Sequence, residues 1–241
     1  MKSKRFFTAL FIVFAIATGV CAQEEKWSDQ AELSFVDTGG NTDVTSLSAK
    51  NLLKYKFSDE LQAAWKLGAL YGQNDGEKNA ESYFSNLRLD YLFTEHLYSF
   101  INAGWSKDKF AGFDSRYYVG PGTGYKFLAG PKHFLLAEVG LNYVNEQYID
   151  DTDKEYLGGR AFAEYEYAFM DKNKFSQSME YLHDFDDSEN YNVNSETALI
   201  SALSDYLSLK TSYSVKYDNK PVPSTLKDTD TILSVTLVVN F

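Results

Sequence analysis

Leu207-Ser208-Leu209-Lys210-Thr211-Ser212-Tyr213-Ser214-Val215-Lys216-Tyr217 alternates without a break. Successive side chains of an extended strand point to opposite faces, so Leu207, Leu209, Thr211, Tyr213, Val215 and Tyr217 share one face. Ser208, Lys210, Ser212, Ser214 and Lys216 share the other. The stretch from Leu61 to Tyr71 repeats the pattern, with Leu61, Ala63, Trp65, Leu67, Ala69 and Tyr71 on its apolar face. Working outward, twelve such stretches fill the chain from Ala31 to Phe241, near 31 to 36, 45 to 57, 61 to 71, 83 to 93, 97 to 105, 115 to 127, 133 to 143, 157 to 169, 175 to 185, 191 to 203, 207 to 217 and 231 to 241. Most run 10 to 13 residues, which suits a tilted strand crossing a bilayer and exceeds the usual globular strand.

The connection lengths put the apolar face on odd numbers throughout. Within the twelve segments no Asp, Glu, Lys or Arg stands at an odd position, while 18 stand at even positions, ten basic and eight acidic. A soluble sandwich also separates charge in this way, but it does not need twelve such long strands.

The connections separate the two classes. Those after strands two, four, six, eight and ten are short, as in Ser58-Asp59-Glu60, Thr94-Glu95-His96 and Ala129-Gly130-Pro131. Those after the odd strands are longer and rich in Asp, Asn and Gly, as in Gly72 to Ser82, Val144 to Tyr156 and Asp218 to Asp230. Alternating short and long connections with an even strand number mark periplasmic turns and extracellular loops of an outer-membrane barrel. Tyr55, Phe57, Tyr91, Phe93, Phe127, Tyr143, Phe169 and Phe185 sit at strand ends, where amphipathic rings form interfacial girdles. The fold class expected is therefore all-β: a transmembrane antiparallel up-and-down β-barrel of about 12 strands. Strand one must pair with strand twelve, because an open sheet edge in lipid leaves backbone groups unsatisfied at several kcal/mol each.

The first 22 residues read as a cleaved secretory signal: Lys2, Lys4 and Arg5, then the apolar run Phe6 to Ile16, then Val20-Cys21-Ala22 before Gln23. A lipid-modified Cys21 is the rival reading, disfavoured because Val20 precedes it where a small residue is expected. Residues 23–30 are expected as a short periplasmic segment, too short for a soluble domain, in which Trp27 could anchor at the interface. Residues 31–241 form the barrel. Cys21 is the only cysteine and leaves with the signal, so no disulfide is expected. Losing three basic residues takes the formal charge from -11 to -14, which argues against nucleic acid. The expected partners are outer-membrane lipids and lipopolysaccharide, and the insertion machinery during assembly. For the latter, Leu233, Val235, Leu237, Val239 and terminal Phe241 form the expected assembly signal. No cofactor or metal is expected.

If odd residues face lipid, the even-numbered charges face the lumen. Lys50, Lys54, Lys56, Lys66, Arg88, Arg116 and Lys126 lie on strands two to six, while Glu138, Glu164, Glu166, Glu180, Asp184 and Glu196 lie on strands seven to ten, with Arg160 among them. A mostly basic wall thus opposes a mostly acidic one, and Lys50, Lys66 and Arg88 are expected to confront Glu138, Glu164, Glu180 and Glu196 near mid-height. In a water-filled pore such opposition makes a transverse field at a constriction. In a narrow barrel it makes a salt-bridge network that fills the interior. Both readings stay open.

The acidic loops Asp150 to Asp153 and Asp184 to Glu189 read first as solvated loops, with cation binding as the lesser reading. Gly120, Gly122 and Gly124 lack the following helix of a phosphate loop and read instead as gaps in the lumenal face that permit curvature or close approach from the opposite wall. The enzymatic alternative is a phospholipase-like hydrolase on the lipid face with Ser195 as nucleophile and His183 as base, placed as diagonal neighbours on strands nine and ten. A soluble periplasmic β protein is the third reading, which heat-modifiable migration on a denaturing gel, tracking the outer-membrane fraction, would distinguish.

Thr38-Gly39-Gly40-Asn41-Thr42-Asp43, the Tyr118 to Tyr125 glycine string and Glu138-Val139-Gly140-Leu141-Asn142-Tyr143 together resemble the outer-membrane family called domain of unknown function 481, often labelled salt-induced outer membrane proteins. The resemblance implies a barrel whose expression responds to salt or osmotic conditions, and it carries over no catalytic or ligand residues. The activity expected is non-enzymatic, as a narrow channel or a structural envelope barrel.

Overall fold

The computed structural model describes residues 26–39, 44–74, 77–170 and 173–241. The expected signal peptide and the Gly40 to Asp43 part of the family motif lie outside the described residues. The strands are β1 (Trp27–Gly39), β2 (Val44–Lys56), β3 (Leu61–Asn74), β4 (Glu77–Leu92), β5 (Leu97–Asp108), β6 (Phe113–Ala129), β7 (His133–Tyr148), β8 (Asp153–Met170), β9 (Asn173–Asp184), β10 (Tyr191–Ala202), β11 (Leu207–Asp218) and β12 (Thr229–Asn240). One 3-10 turn, Lys109–Ala111, sits between β5 and β6. Each strand pairs antiparallel with its sequence neighbours, and β1 closes on β12 from Gln30↔Asn240 to Gly39↔Thr231. The closure follows from the cost of an unpaired edge in lipid.

The two faces divide as the parity requires. Among the described residues every exposed large apolar side chain has an odd number except Leu128, Met170 and the turn residue Tyr206. Bulges explain the first two. The β6–β7 register shifts between Lys126 and Leu128, and the β8–β9 register shifts between Ala168 and Met170. One extra residue turns the following side chain to the opposite face.

The strands run further than the apolar alternation predicts. β1 starts at Trp27 rather than Ala31, and Trp27 to Gln30, expected in the periplasmic segment, pair with Tyr55 to Leu52 of β2. At the opposite end, most of the expected loops Gly72 to Ser82 and Val144 to Tyr156 are ladder, since β4 begins at Glu77, β7 reaches Tyr148 and β8 begins at Asp153. The reason is that hydrogen bonding continues where the lipid stops. Outward positions there become polar and satisfy one another: Lys107 Nζ lies 3.0 Å from Asp114 Oδ1, and Tyr143 and Asn145 donate to Glu155 at 2.6 and 2.7 Å. The longer connections are thus hairpins standing above the apolar belt.

The turn end carries an aromatic belt of Tyr-x-Phe pairs. Ring centroids are 4.8 Å apart in Tyr55–Phe57, 5.2 Å in Tyr91–Phe93 and 5.1 Å in Tyr125–Phe127, all edge to face. His133 stacks on Tyr167 at 4.9 Å. Rings with an apolar body and a polar rim suit the boundary between hydrocarbon and water.

Candidate functional site: the charged lumen

The lumenal face is built on glycines that receive aromatic rings. Tyr98 pairs with Gly124, Phe100 with Gly122, Tyr118 with Gly104 and Phe84 with Gly68 across neighbouring strands. A Cβ at any of these glycines would overlap the paired ring. Of the Gly120 to Gly124 string, Gly122 and Gly124 therefore admit rings from the adjacent strand β5, while Gly120 admits the Leu141 carbonyl of β7; the close approach comes from neighbouring strands rather than, as expected, from the opposite wall. The rings lie flat on the wall and leave the bore to the longer charged groups.

On that aromatic floor lies a continuous ionic chain. Arg88 of β4 reaches across β5 and β6 to Glu138 of β7, with Nη1–Oε2 at 3.1 Å and Nη2–Oε1 at 2.7 Å. Its guanidinium sits 4.0 Å from the Phe100 ring centroid, and its Nε donates to Asp90 at 2.7 Å. Arg160 of β8 donates from Nη1 to Glu138 at 2.8 Å and from Nε to Glu180 at 2.6 Å. Tyr98 completes Glu138 with a bond of 2.7 Å to Oε1. A fork of donors matched to a carboxylate, stacked on a ring, is the geometry that favours Arg over Lys. Glu138 is buried at 5% exposure, and it is the hub because both guanidinium groups converge on it.

The other candidates pair locally. Arg116 Nε lies 2.6 Å from Glu146 Oε1, its guanidinium 3.7 Å from the Phe113 ring centroid; Glu146 also accepts from Tyr148, and from Tyr156 at 3.0 Å. Glu196 meets Lys210 at 2.7 Å, and Glu166 meets Lys174 at 2.8 Å. Lys154 meets Asp184 at 2.5 Å. Lys50, Lys66 and Glu164 make no ion pair within 4.0 Å among the described residues. The expected confrontation of walls is thus realised by Arg88 and Glu138, whereas Glu180 and Glu196 are taken by Arg160 and Lys210 on neighbouring strands. Reach decides this: cross-strand neighbours stand about 5 Å apart, within the span of any of these side chains, and the bore is wider.

Sequence reasoning missed Glu146, Tyr148 and Tyr156, which lie beyond the expected strand ends. It also missed Tyr98 and Phe100, whose even positions opposite Gly124 and Gly122 were the available signal.

Above this chain, toward the loop end, lies a cavity of about 750 Å³ whose walls include Lys50, Lys66, Arg88, Arg160, Glu180 and Glu196. Asn102, Asn142, Asn192 and Asn194 add amides to it. Lys50 pairs with Gly68 and Lys66 with Leu52 in the β2–β3 register, so the two ammonium-bearing residues are diagonal neighbours on one wall. Glu164, on β8, stands nearly opposite in the strand order.

The catalytic alternative loses its geometry. His183 opposes Tyr191 and Ser195 opposes Met179, a four-residue offset or about 14 Å along the ladder at ~3.4 Å per residue. Ser195 Oγ instead accepts from Gln177 Nε2 at 3.0 Å, and the His183 ring stacks on Tyr181 with centroids 6.0 Å apart. The expected diagonal proximity allowed for the β9–β10 connection but assumed a different register from the one that its six residues set.

Known proteins agree with the fold. The structure is similar to the NanC porin, with a TM-score of 0.61 at 7% identity over 87% of this chain and 98% of that one. It is also similar to the COG4313 outer membrane channel from Pseudomonas putida F1, with a TM-score of 0.57 at 10% identity over 89% and 95% of the two chains. The Escherichia coli (strain K12) protein YdiY is 26% identical over 218 residues, which cover 90% of this chain and 84% of that protein. With residues 31–241 matching the family described as protein of unknown function, DUF481, this twelve-stranded closed barrel belongs to that family.

Proposed function

We propose that the barrel is a narrow water-filled channel through the outer membrane for small ionic or polar solutes, without enzymatic activity. The observation that carries this reading is the unpaired state of Lys50 and Lys66 on the wall of a 750 Å³ cavity. An ammonium group held away from both carboxylates and water costs far more than the fold can supply, so the bore at that level is hydrated. The two most similar folds described above are those of a porin and a channel, which supports the reading.

On this level Lys50 and Lys66 stand on one wall, with Glu32 across the β1–β2 register from Lys50 and Glu164 on the far wall, while the central network holds three carboxylates, Asp90, Glu138 and Glu180, against the two guanidinium groups of Arg88 and Arg160. The two lysines make their wall the positive side of a transverse field. Single-channel recording in a planar bilayer under a KCl gradient tests this. Lys50→Gln with Lys66→Gln should move the reversal potential toward cation preference, and Glu164→Gln should move it the other way. Unchanged reversal potentials in both would refute the assignment. Glu180→Gln should weaken the wall without an equal change in selectivity.

A second reading, a structural envelope barrel, is favoured by the Arg88–Glu138–Arg160–Glu180 chain, which fills one sector of the interior. Absence of conductance from protein that migrates as a heat-modifiable band would support it. In either reading the barrel contacts outer-membrane lipids and lipopolysaccharide around its apolar belt and the insertion machinery during assembly. The link to salt stress is checked by barrel abundance in cells shifted to high salt.

A further inference from the structure

The connection between β11 and β12, residues 219–228, does not stay beside its own hairpin. In the closed strand order the β11–β12 junction lies diametrically opposite the β5–β6 junction, six strands away in either direction. Yet Gly112, in the β5–β6 connection, has no room for a side chain because the Val222 carbonyl oxygen occupies the place of its Cβ, with Leu226 Cδ1 3.2 Å from the same point. The segment therefore crosses the full mouth. Pro221, Lys227 and Asp228 from it, and Ala111 and Phe113 from the far side, line the cavity beneath.

The two ends of the crossing differ. Its base is tied down: Asp218 N donates to Asp228 O at 2.8 Å, Asn219 N to Tyr191 O at 3.0 Å, and Lys220 Nζ meets Asp187 Oδ2 at 2.5 Å. Its tip turns on Leu226 N→Pro223 O at 3.0 Å and rests against Gly112, whose own carbonyl is engaged by Ile149 N at 3.1 Å. Gly112 has φ 94°, a left-handed conformation that glycine adopts without steric cost. A loop anchored at its base and spanning an open mouth is the part of such a structure that opens at least cost.

We propose that residues 219–228 form a strap latched on Gly112 that closes the outer mouth of the barrel and limits which solutes enter the cavity. The inference rests on the channel reading for its purpose but not for its test. With Cys21→Ser as background, Ser178→Cys places one thiol in the cavity wall. Intact cells are then treated with fluorescein maleimide, which does not cross the membrane. Two openings are compared with the parent: replacement of 220–227 by a short Gly-Ser turn, and Gly112→Val, whose Cβ displaces Val222. A strap closed about ten to one holds labelling about tenfold below that of the deleted form, so both variants should label about tenfold faster. Equal labelling in the parent and the deletion would overturn the strap. If Gly112→Val fails to give a heat-modifiable band, the deletion carries the comparison. Single-channel currents separate the two proposals: faster labelling with no current in any variant sinks the channel and leaves the strap, whereas current with unchanged labelling sinks the strap and leaves the channel.

Discussion

Glu138→Gln is the substitution whose cost follows most directly from the structure. The carboxylate accepts four hydrogen bonds, two from Arg88, one from Arg160 and one from Tyr98. Glutamine keeps the shape but offers one acceptor oxygen, and it turns an N–H donor toward two guanidinium groups that can only donate. Arg88 and Arg160 keep Asp90 and Glu180 as partners, so neither charge is left bare. Removing one partner of a fully buried pair costs about 3 to 5 kcal/mol; with Arg88 22% exposed to the bore and both arginines still partnered, the lower end applies, about 3 kcal/mol. Guanidinium titration of the barrel folded in lipid vesicles measures it, with tryptophan fluorescence and the heat-modifiable band as independent probes. The midpoint should fall with an unchanged slope. Arg88→Met combined with Glu138→Leu should lose more than Glu138→Gln alone, since it strips the buried Asp90 carboxylate of the guanidinium that pairs with it. A loss below about 0.5 kcal/mol, the usual scale of a surface change, would refute the role of Glu138 as hub; Lys66→Gln supplies that baseline.

The glycine seats predict a graded series. Gly122→Ala forces the Phe100 ring aside and should cost about 1 to 3 kcal/mol, whereas Gly130→Ala, with its nearest neighbour 3.6 Å from the new methyl, should be near neutral; the same titration compares them. Gly120→Ala should cost more than either, because its Cβ overlaps the Leu141 carbonyl, which cannot move without the strand. In the loops, the hydrogen bond from Lys220 holds the Asp187 carboxyl below the usual carboxylate range. A depressed pKa stabilises the folded loop above the ordinary carboxylate value and that contribution is lost as pH falls through the lowered one. Hydrogen-exchange protection factors in 219–228, taken relative to the intrinsic rate at each pH, should therefore fall below about pH 4 and stay unchanged between pH 6 and 8; equal protection factors at pH 3 and 7 would remove this tie from the base of the strap.

Much of the fold was legible because two solvents impose opposite demands on one strand. Lipid on the odd side and water on the even side write alternation into every spanning segment, and a sheet in lipid must close, so strand number, facing and the β1–β12 seam follow from local pattern. Where lipid ends, the pattern ends before the ladder does, which is why β1 began early and the hairpins ran past Tyr71 and Tyr143. Leu128 and Met170 fell on the unexpected face because a bulge shifts parity and leaves no compositional mark.

The candidate site was legible only as a set of charges. Alternation placed Arg88, Arg160, Glu138 and Glu180 inside, but which carboxylate each guanidinium takes depends on stagger between strands, on the flat rings of Tyr98 and Phe100, and on reach across the bore. Those are distances between residues far apart in the chain, and no local period encodes them. The crossing of 219–228 to Gly112 is of the same kind: the glycine and the loop were each visible in the sequence, and only closure of the barrel placed them face to face.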